Sequence, residues 1–395
     1  MEWIRLGDIA SKITKGTTPT SVGYDFIECG INFVKVESIT ENRKFISSKF
    51  AHISEECNEK LNRSQLKEND ILFSIAGVIG RTAIVHEDIL PANTNQALAI
   101  IRVPNGRIDY SFLAYALESP MVRKQYEKQQ QGVAQINVSL QNVGDFLIPR
   151  LELEEQRRIA ATLDKVSDLI AKRRAQLDKL DLLVKARFVE MFGDMVLNPM
   201  NWPEQPLEDM ADIVSGITKG RKTKETELIE VPYMAVSNVK DGYIDWTTVK
   251  TILATKAEIE QYRLLPGDVL MTEGGDPDKL GRGAIIQQPL ENCIHQNHIF
   301  RVRLNENILL SSYFAEFLHH QKAKQYFLRC AKQTTGIASI NMRQLKGLPT
   351  LVPPLDMQYE FKGYIEKVDR SRYIISFSLE KLEMLRNALM QQYFG

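Results

Sequence analysis

The chain has few cysteines, and they are not arranged for a metal site or a disulfide framework. Among its 395 residues there are four, at positions 29, 57, 293 and 330, and no two of them form a CxxC pair. Zinc modules and disulfide-rich secreted scaffolds use closely spaced cysteines, so neither class fits and a reducing cytoplasm is expected. Long apolar runs are also missing. No window approaches 18 uninterrupted apolar residues, and the first residues lack the basic and apolar regions of a signal peptide.

The chain also has no excess of positive or negative charge and no nucleotide-binding motif. The 50 basic and 50 acidic residues cancel, so the phosphates of a nucleic acid would have to be met by local patches. The sequence contains no GxxxxGK[ST], no GxGxxG after a strand, and no proline-aromatic tetrad of the NPPY type that amino-methyltransferases use to hold an extruded base. These absences argue against a self-contained methyltransferase or nuclease.

What the chain does contain is a duplication. The segment "QLDKLDLLVKARFVEMFG" in the middle aligns without a gap with "SLEKLEMLRNALMQQYFG" at the end, so that Leu177 meets Leu379, 202 positions later. The match extends through "ENDILFSIAG" and "PGDVLMTEGG", through "QGVAQIN" and "TGIASIN", and through "ITKG", which occurs at residues 13–16 and 217–220. Because internal repeats decide the architecture, we predict two copies of one structural unit.

Each copy divides into a mixed region and a helix. Runs rich in Val, Ile and Phe and bounded by Gly, Asn or Asp predict strands, for example "INFVKVESI" and "ALAIIRV" in the first copy and "VPYMAVSNV" and "HIFRVRL" in the second. Leu-, Ala- and Tyr-rich stretches at residues 110–131 and 311–333 predict helices. The fold class is therefore mixed α/β, duplicated, with each mixed region followed by a long helix.

The long helices carry the clearest periodicity in the chain. Apolar residues recur at steps of three and four over about five heptads, which is typical of a coiled coil, and about 37 residues make a rod of roughly 55 Å. The alternative is a long helix packed on its own domain. If the two helices pair antiparallel with full overlap, facing positions add up to about 550, which would bring Arg372 near Asp178 and Arg386 near Asp164. The seam comprises Ile159, Leu163, Val166, Ile170, Leu177, Leu180 and Val184 in the first copy, and Phe361, Ile365, Val368, Ile375, Leu379, Leu382 and Leu389 in the second.

Several loops contain the residue types that read DNA. "TKGTTPT" and "TKGRKTK" place hydroxyls and amines on Gly-hinged turns that suit phosphate contact, and "NTNQ" and "HQNH" place amides and imidazoles where a strand begins. For any single residue a solvated polar loop is an equal alternative, but the recurrence in both copies favours the set. The candidate DNA-contacting residues are Lys15, Thr17, Thr18, Lys35, Ser74, Arg81, Thr94, Asn95, Gln96, Lys219, Arg221, Lys222, Lys224, Asn238, Thr272, Arg282, His295, Gln296, Asn297 and His298.

Two groups of residues could suggest catalysis, and both have a plainer interpretation. His295 and His298 form HxxH, but no Cys or Glu stands at helical spacing to complete a metal site. Acidic residues in "EGGDPDKLGRG" could suggest a nuclease cluster, with Glu273, Asp276, Asp278 and Lys279 as its members. The first copy has "SIAGVIGRT" at that place and no acid, so a solvated loop is the better interpretation. No catalytic and no metal-ligating residue is therefore expected.

The segments that join mixed region and helix resemble those of a known family. "IPRLELEEQRRIAATLDKVSDLI" and "VPPLDMQYEFKGYIEKVD", each preceded by a TGxxxIN-like segment, are similar to the boundary between target recognition domain and conserved helical region in specificity subunits of type I restriction-modification systems. The likeness covers essentially the whole chain. The sequence departs from the pattern at Gln131, where the family's threonine is usual, and at Met357, which stands where the first copy has Glu155.

The resemblance implies a non-catalytic, DNA-reading subunit in a pseudo-twofold arrangement. Each recognition domain would read one half of a bipartite target in double-stranded DNA, and the antiparallel helices would set the distance between the halves. Two methyltransferase (modification) subunits, and then restriction subunits, would dock on the chain. No cofactor is expected on the chain itself, since S-adenosylmethionine, Mg and ATP would belong to those partners.

The implied domain boundaries follow the repeat. Alternatives of other classes are a stand-alone sequence-specific DNA-binding regulator and a coiled-coil scaffold without a role on DNA. The expected divisions are a first recognition domain at 1–152, a first helical region at 153–193, a linker at 194–206, a second recognition domain at 202–354 and a second helical region at 355–395.

Overall fold

The chain forms two compact units. The computed structural model describes residues 2–128, 137–221, 227–275, 280–334 and 337–395. Unit 1 comprises Met1–Gln176 together with Ile375–Gly395, and unit 2 comprises Leu177–Ile374. Both long helices are divided between the two units along the chain, so each unit contains one mixed region and a part of each helix.

Unit 1 contains the first mixed region. Its strands are β1 (Glu2–Arg5), β2 (Lys12–Lys15), β3 (Ile31–Val34), β4 (Ala51–Ile53), β5 (Ile71–Ser74), β6 (Thr82–Ile84), β7 (Ala92–Thr94), β8 (Leu98–Arg102) and β9 (Leu147–Arg150). Its helices are α1 (Leu6–Ile9), α2 (Glu55–Lys60), α3 (Tyr110–Glu118), α4 (Pro120–Lys128) and α5 (Leu140–Asp145), followed by the long helix α6 (Leu153–Phe192).

Unit 2 repeats this order of elements. Its strands are β10 (Glu204–Pro206), β11 (Ala211–Ser215), β12 (Ile229–Met234), β13 (Lys250–Ala254), β14 (Val269–Thr272), β15 (Gly274–Gly275), β16 (Gly283–Ile285), β17 (Ile294–His295), β18 (Ile299–Leu304), β19 (Lys332–Thr334), β20 (Ile337–Ser339) and β21 (Pro349–Leu351). Its helices are α7 (Lys256–Tyr262), α8 (Ser311–Phe317), α9 (Gln321–Cys330), α10 (Met342–Lys346) and the long helix α11 (Leu355–Phe394).

The sheets of the two units have the same topology. A four-stranded antiparallel sheet has the order β2-β8-β5-β6 in unit 1 and β11-β18-β14-β16 in unit 2. A three-stranded sheet, β4-β3-β7 or β13-β12-β17, pairs its middle strand antiparallel with one neighbour and parallel with the other. The first strand of each copy pairs with the last one before the long helix, as β1-β9 and β10-β21. The predicted duplicated, mixed α/β fold is confirmed.

Each four-stranded sheet separates two apolar cores. In unit 1, Phe73 packs in the core that contains α3 and the long helices, whereas the adjacent Leu72 packs towards the three-stranded sheet. In unit 2, Met271 and Leu270 divide in the same way. Successive side chains of a strand point to opposite faces, so a strand that is covered on both sides has a continuous apolar sequence. This explains the apolar runs "DILFS" and "DVLMT".

The recurring "END" and "PGD" motifs close a turn and hold an arginine. Asp70 accepts a hydrogen bond from the Lys67 backbone N–H at 2.8 Å, and its two carboxylate oxygens each accept one from the Arg102 guanidinium at 2.6 Å. Unit 2 repeats the pair with Asp268 and Arg303, at 2.7 and 2.9 Å. Both aspartates are buried. A buried carboxylate requires a paired cation. The motif therefore fixes the end of the strand, β8 or β18, on which the arginine lies.

The long helices pair antiparallel within each unit. Each has 40 residues, which corresponds to about 60 Å. Arg174 contacts Glu383 at 2.7 Å in unit 1, and Arg372 contacts Asp181 at 2.7 Å in unit 2. In both pairs the residue numbers add up to nearly the predicted 550. The expected partners were nevertheless wrong: Arg372 binds Asp181, one turn away from Asp178, and Arg386 lies 3.6 Å from Glu118 and not on Asp164. All fourteen seam residues are buried or half-buried.

Residues of the seam also pack on the mixed regions. The coiled coil and the helix packed on a domain, which were alternatives in the sequence, therefore both occur along the same helices. In unit 1, Leu163 near the start of α6 and Phe394 at the end of α11 belong to one core. The Phe394 ring lies 5.3 Å from the Phe112 ring of α3. In unit 2, Phe192 at the end of α6 lies 4.9 Å from Tyr313 of α8. The repeated Phe-Gly that ends each helix therefore packs against the mixed region of the other copy.

A buried glutamine joins each mixed region to the helix that follows it. The Gln156 side-chain oxygen accepts a hydrogen bond from the Asp109 N–H at 2.9 Å, and that of Gln358 accepts one from the Leu310 N–H at 2.8 Å. Asp109 and Leu310 are the residues directly before α3 and α8. The glutamine of the Leu-x-x-Gln segment that begins each long helix thus satisfies a backbone donor at the start of α3 or α8.

The predicted helices at 110–131 and 311–333 are each interrupted. α3 ends at Glu118 and α4 begins at Pro120, because proline is favoured in the first turn of a helix and ends a preceding one. In unit 2 α8 ends at Phe317 and α9 begins at Gln321. Across the described residues, no helix has the length and apolar content needed to cross a membrane.

Candidate nucleic-acid interface

The polar loops singled out in the sequence meet at one edge of each four-stranded sheet. In unit 1, Lys15 at the end of β2 is paired with Ala99, and Ser74 at the end of β5 is paired with Leu98 at the start of β8. The segments 14–20, 75–81 and 94–97 therefore emerge together. We call this set of segments the loop edge of unit 1. Its counterpart, the loop edge of unit 2, consists of 216–221, 273–275, 280–282 and 295–298, placed by the pairing of β11, β14 and β18.

A glycine brings two of these loops into contact in each unit. The Gly16 N–H donates to the Asn95 carbonyl at 3.1 Å. A Cβ added at Gly16 would lie 1.7 Å from the Thr94 carbonyl oxygen, and one at Gly216 would lie 1.9 Å from that of His295. Only glycine fits such an approach of two backbones. The Gly-hinged turns are thereby packed against "NTNQ" and "HQNH".

This contact corrects the alignment of the "ITKG" motif. The close glycine of unit 2 is Gly216, and β11 pairs with β18 as β2 pairs with β8, so the structural counterpart of residues 13–16 is 213–216. The second "ITKG" lies four residues further along the loop. Lys15 consequently has Ser215 as its counterpart, and Lys219 belongs to the part of the loop beyond the glycine. Local identity was misleading because a short motif can recur by chance out of register.

Several candidates lie on the surface of the loop edges. In unit 1, Lys15 and Gln96 are exposed, and the Thr18 hydroxyl contacts the Gln96 side-chain oxygen at 2.5 Å. Lys219 and His298 are exposed in unit 2, and Nδ1 of His298 contacts a Glu273 carboxylate oxygen at 2.6 Å. The half-buried candidates are Thr17, Thr18, Lys35, Arg81, Asn95, Arg221, Arg282, Gln296 and Asn297. The side chains of Lys222 and Lys224, like Asp276, Asp278 and Lys279, lie outside the described residues.

Five candidates are buried and are removed from the set of direct DNA contacts. Ser74, Thr94, Asn238, Thr272 and His295 have no appreciable exposed surface. Ser74 and Thr94 bind backbone atoms within unit 1: the Ser74 hydroxyl donates to the Val78 carbonyl at 2.6 Å, and the Thr94 hydroxyl to the Val34 carbonyl at 2.8 Å.

Two of the three buried candidates in the second copy, Asn238 and His295, are also engaged internally. The Asn238 amide donates to the Asp245 carbonyl at 2.9 Å. His295 lies between the carbonyls of Tyr262 and Val214, at 3.1 and 3.3 Å, and burial lowers its pKa to about 4. His295 and His298 therefore share no site. Among the residues that the structure describes, no group of three or more His, Cys, Asp or Glu side chains could hold a metal ion.

Two of the three arginine candidates, Arg81 and Arg221, are held by groups of their own unit. Arg81 donates to the Ile39 carbonyl at 3.1 Å. Arg221 forms a two-pronged ion pair with Glu258, whose pKa is lowered chiefly by these hydrogen bonds. The charge of Arg221 is thus compensated within the domain, so Lys219 is the stronger candidate for a phosphate contact in this loop. Sequence reasoning did not find Glu258, because it lies 37 residues away on α7.

Glu273 is a further polar group at the loop edge that the sequence reasoning set aside. Its N–H donates to the His298 carbonyl and its own carbonyl accepts from the Ile340 N–H, at 3.0 and 2.9 Å. In unit 1 the same backbone positions are taken by Ile75, which bonds to Ala97 and Val138. The two loop edges therefore share a backbone framework and present different side chains. The signal in the sequence was the aligned pair "FSIAG" and "MTEGG".

The comparisons with known proteins agree with this architecture. A family model described as "Type I restriction modification DNA specificity domain" matches residues 1–180 and again 199–384. The chain therefore belongs to this family, as the resemblance in the sequence suggested. Its members are DNA-binding specificity subunits without catalytic function, and catalysis in these systems lies on partner subunits.

Individual relatives and solved structures have similar descriptions. The chain is 20% identical over 395 aligned residues to the EcoKI specificity subunit of Escherichia coli strain K12, covering 93% of this chain and 84% of the relative. A putative MjaX specificity subunit of Methanocaldococcus jannaschii is 27% identical over 197 residues, and the chain spans only 46% of its length. A structure from work on assembly and conformational transition of a type I restriction-modification system shares the fold, with a TM-score of 0.59, 18% identity and coverage of 100% and 97%. The S subunit from M. genitalium does so with a TM-score of 0.56, 15% identity and coverage of 100% and 96%.

Proposed function

We propose that the chain reads a bipartite target in double-stranded DNA, with one loop edge for each half-site. The observation that carries this proposal is the presence of two loop edges on one repeated backbone framework, each with a different set of exposed polar side chains. A shared framework gives both domains the same way of approaching a duplex, while different side chains select different bases. We assign the recognition domains to residues 1–152 and 202–354 and the helical regions to 153–193 and 355–395, joined by the linker at 194–206.

The long helices are the proposed docking surface for the partner subunits. Their seam residues are covered, yet other apolar residues of the same helices remain exposed. In unit 2 these are Leu182, Leu183, Val189, Tyr359, Tyr373 and Ile374, of which Tyr373 is 74% exposed, and in unit 1 they are Leu169, Phe377, Met384 and Leu385. Exposed apolar residues clustered on one element indicate a binding surface for protein. We assign it to the methyltransferase subunits, two per chain because there are two repeats, with restriction subunits joining afterwards.

The chemistry is proposed to lie on these partners. S-adenosylmethionine would bind to the methyltransferase subunits, and Mg and ATP would serve the restriction subunits. A chromosomal DNA target places the complex in the cytoplasm. The purified chain alone should neither methylate nor cleave DNA, and adding the methyltransferase subunit should produce adenine methylation. Transfer of a radiolabelled methyl group by the chain alone would contradict this division.

An exchange of one domain tests the reading of two half-sites. Residues 1–152 are replaced by the equivalent segment of a relative with another specificity, and methylated motifs are mapped in cells that contain the methyltransferase subunit. One half of the motif should change, while the other half and the spacer stay fixed. Each wrong base pair costs roughly 1–3 kcal/mol, so three or four bases suffice for a clean switch. Bases altered in both halves would show that the domains read jointly.

The main rival is a stand-alone DNA-binding regulator. Such a protein would bind its site tightly without a methyltransferase partner and would not need the exposed apolar residues of its helices. Binding to a target duplex is therefore measured with and without the methyltransferase subunit, with Tyr373→Lys as the docking variant and Tyr373→Phe, which keeps the exposed ring, as its matched control. The proposal expects loss of assembly with Tyr373→Lys only.

A further inference from the structure

Unit 2 contains a cavity that the DNA-reading role does not use. It has a volume of about 640 Å³ and lies between the loop around Gly242, helix α8 and the paired long helices. Trp246 and Ile365 contribute apolar surface, while Glu316 and Asp369 contribute carboxylates. None of these residues belongs to the loop edge. The cavity is therefore a separate feature whose occupant has to be deduced from its own chemistry.

The first copy fills the corresponding place with its own arginine. Arg43 lies in the loop that follows β3, and its guanidinium donates to an Asp164 carboxylate oxygen of α6 at 3.0 Å. The guanidinium carbon also lies 3.5 Å from the centre of the Tyr115 ring of α3. The Arg43 side chain is only 13% exposed. A cation thus joins loop, α3 and α6 in unit 1 by an ion pair and a cation–π contact.

In unit 2 the equivalent position is a glycine. Arg43 and Gly242 are both left-handed, with φ of 61° and 81°, and each stands directly before the residue that closes the turn. Lys44 closes it on Thr40 in unit 1, and Tyr243 closes it on Lys240 in unit 2. A Cβ at Gly242 would meet only His319, at 3.7 Å, which is an ordinary contact. The side chain that fills this place in unit 1 is therefore missing in unit 2, although a Cβ at Gly242 would meet no clash.

Carboxylates line the cavity of unit 2 at two positions where unit 1 has uncharged side chains, whereas the buried Glu118 of unit 1 corresponds to His319. Gln156 and Gln358 bond to the residues before α3 and α8, and this correspondence matches Ser111 with Ser312, Tyr115 with Glu316 and Ser167 with Asp369. A carboxylate thus stands where unit 1 has a tyrosine, and a second where it has a serine. Asp369 is paired with Arg372, and burial raises its pKa.

Two polar atoms of this wall are buried without a hydrogen-bond partner. They are the Ser312 hydroxyl oxygen and one carboxylate oxygen of Glu316. Nε2 of His320 lies 3.7 Å from that oxygen, which is beyond hydrogen-bonding distance. In unit 1 the matching Ser111 hydroxyl donates to Asp164 at 3.0 Å. The matching acid of unit 2, Glu366, is exposed. A buried carboxylate oxygen requires a hydrogen-bond donor, and a cationic donor also compensates its charge.

We propose that this cavity binds a guanidinium group supplied by another molecule, with Glu316 as the carboxylate that receives it. The group takes the place that Arg43 occupies in unit 1. A planar guanidinium matches a carboxylate through two parallel N–H donors, and the volume of the cavity leaves room for the aliphatic stem that carries it. Trp246 and Ile365 provide apolar surface for that stem. The same chemistry is available from an arginine side chain of a protein and from a small free guanidine.

Calorimetric titration of the full chain tests the site. The probe is N-acetyl-L-arginine amide, and the control is N-acetyl-L-citrulline amide, which has nearly the same shape and no charge. We expect one arginine site per chain with a Kd on the order of 1 mM, and at least tenfold weaker binding of the citrulline compound. Agmatine forms the third arm: tighter binding than the arginine amide assigns the site to a small guanidine, and weaker binding assigns it to a peptide-borne arginine. Equal binding of arginine and citrulline compounds overturns the proposal.

Variants locate the binding in this cavity. Glu316→Gln should weaken arginine binding at least tenfold. Gly242→Arg should abolish it by filling the cavity from within, and its thermal unfolding should remain cooperative because Arg43 adopts the same backbone conformation. Arg43→Gly should open a second site and raise the stoichiometry from one to two. Unchanged binding in a folded Gly242→Arg variant, or a stoichiometry that stays at one in Arg43→Gly, overturns the proposal. The citrulline comparison needs no variant, so it decides even if a substitution prevents folding.

Discussion

Replacing Gln358 tests whether a buried amide joins the second mixed region to its long helix. The side chain is fully buried. Its oxygen accepts from the Leu310 N–H at 2.8 Å, and its nitrogen donates to the carbonyls of Pro353 and Ile308 at 2.7 and 3.1 Å. Gln358→Ala leaves these groups without their partner and creates a cavity. Water cannot replace these hydrogen bonds, because the side chain is fully buried.

The loss in free energy of unfolding follows from the backbone groups that lose their hydrogen-bond partner. An unpaired buried N–H costs about 1–3 kcal/mol, and the lost side-chain volume adds about 1–2 kcal/mol. We therefore expect Gln358→Ala to lower the free energy of unfolding of unit 2 by about 2–5 kcal/mol, a large part of the total stability of a typical domain. Gln358→Met keeps the volume and removes the hydrogen bonds, so its cost should be about 1–3 kcal/mol.

Urea unfolding followed by tryptophan fluorescence measures this loss, with Trp202 and Trp246 as reporters in unit 2. Hydrogen exchange measured by mass spectrometry follows the Leu310 amide, which should lose protection in both variants. Glu380→Ala, at an exposed position of the same helix, is the matched control. A change below about 0.5 kcal/mol, which is usual for a surface substitution, or an equally protected Leu310 amide would refute the reasoning.

Three other predictions concern the loop edge, pH and spacing. Lys219→Ala should flatten the log–log salt dependence of DNA binding by up to about 0.9, whereas Arg221→Ala should leave the slope unchanged because Glu258 already compensates its charge; equal slopes for both variants would remove Lys219 from the interface. Burial lowers the pKa of His295 from 6.5 to about 4, so the unfolded chain takes up the proton first, and stability should fall by up to about 3 kcal/mol as the pH drops from about 6.5 to about 4. His295→Gln should remove that part of the slope in urea titrations, and an unchanged slope would contradict it. Inserting four residues, about 6 Å, at matched places in α6 and α11 should lengthen the spacer of the methylated motif by one or two base pairs and leave both half-sites intact; an altered half-site with an unaltered spacer would show that the helices do not set the distance.

The sequence by itself determined the architecture. The repeat, the strand runs and the three-and-four periodicity are local or periodic signals, and each follows from one element burying one face. They were sufficient to predict two mixed regions, two long helices and antiparallel pairing near the observed register. The segments that contain Gln156 and Gln358 were visible through their family resemblance, but the role of Gln358 was not, because Leu310 lies 48 residues away.

Only the tertiary structure decided which polar residues face solvent. Thr94 and Asn95 are adjacent in the same polar loop, yet one is buried and the other half-exposed. Strand alternation indicates that neighbours differ, but where both faces of a strand are covered it does not tell which side chain points inward. Pairing between distant residues decided the rest: Glu258 binds Arg221, and Gly242 leaves open in unit 2 the place that Arg43 fills in unit 1. Such pairs arise where loops from distant parts of the chain meet, and no period in the sequence records them.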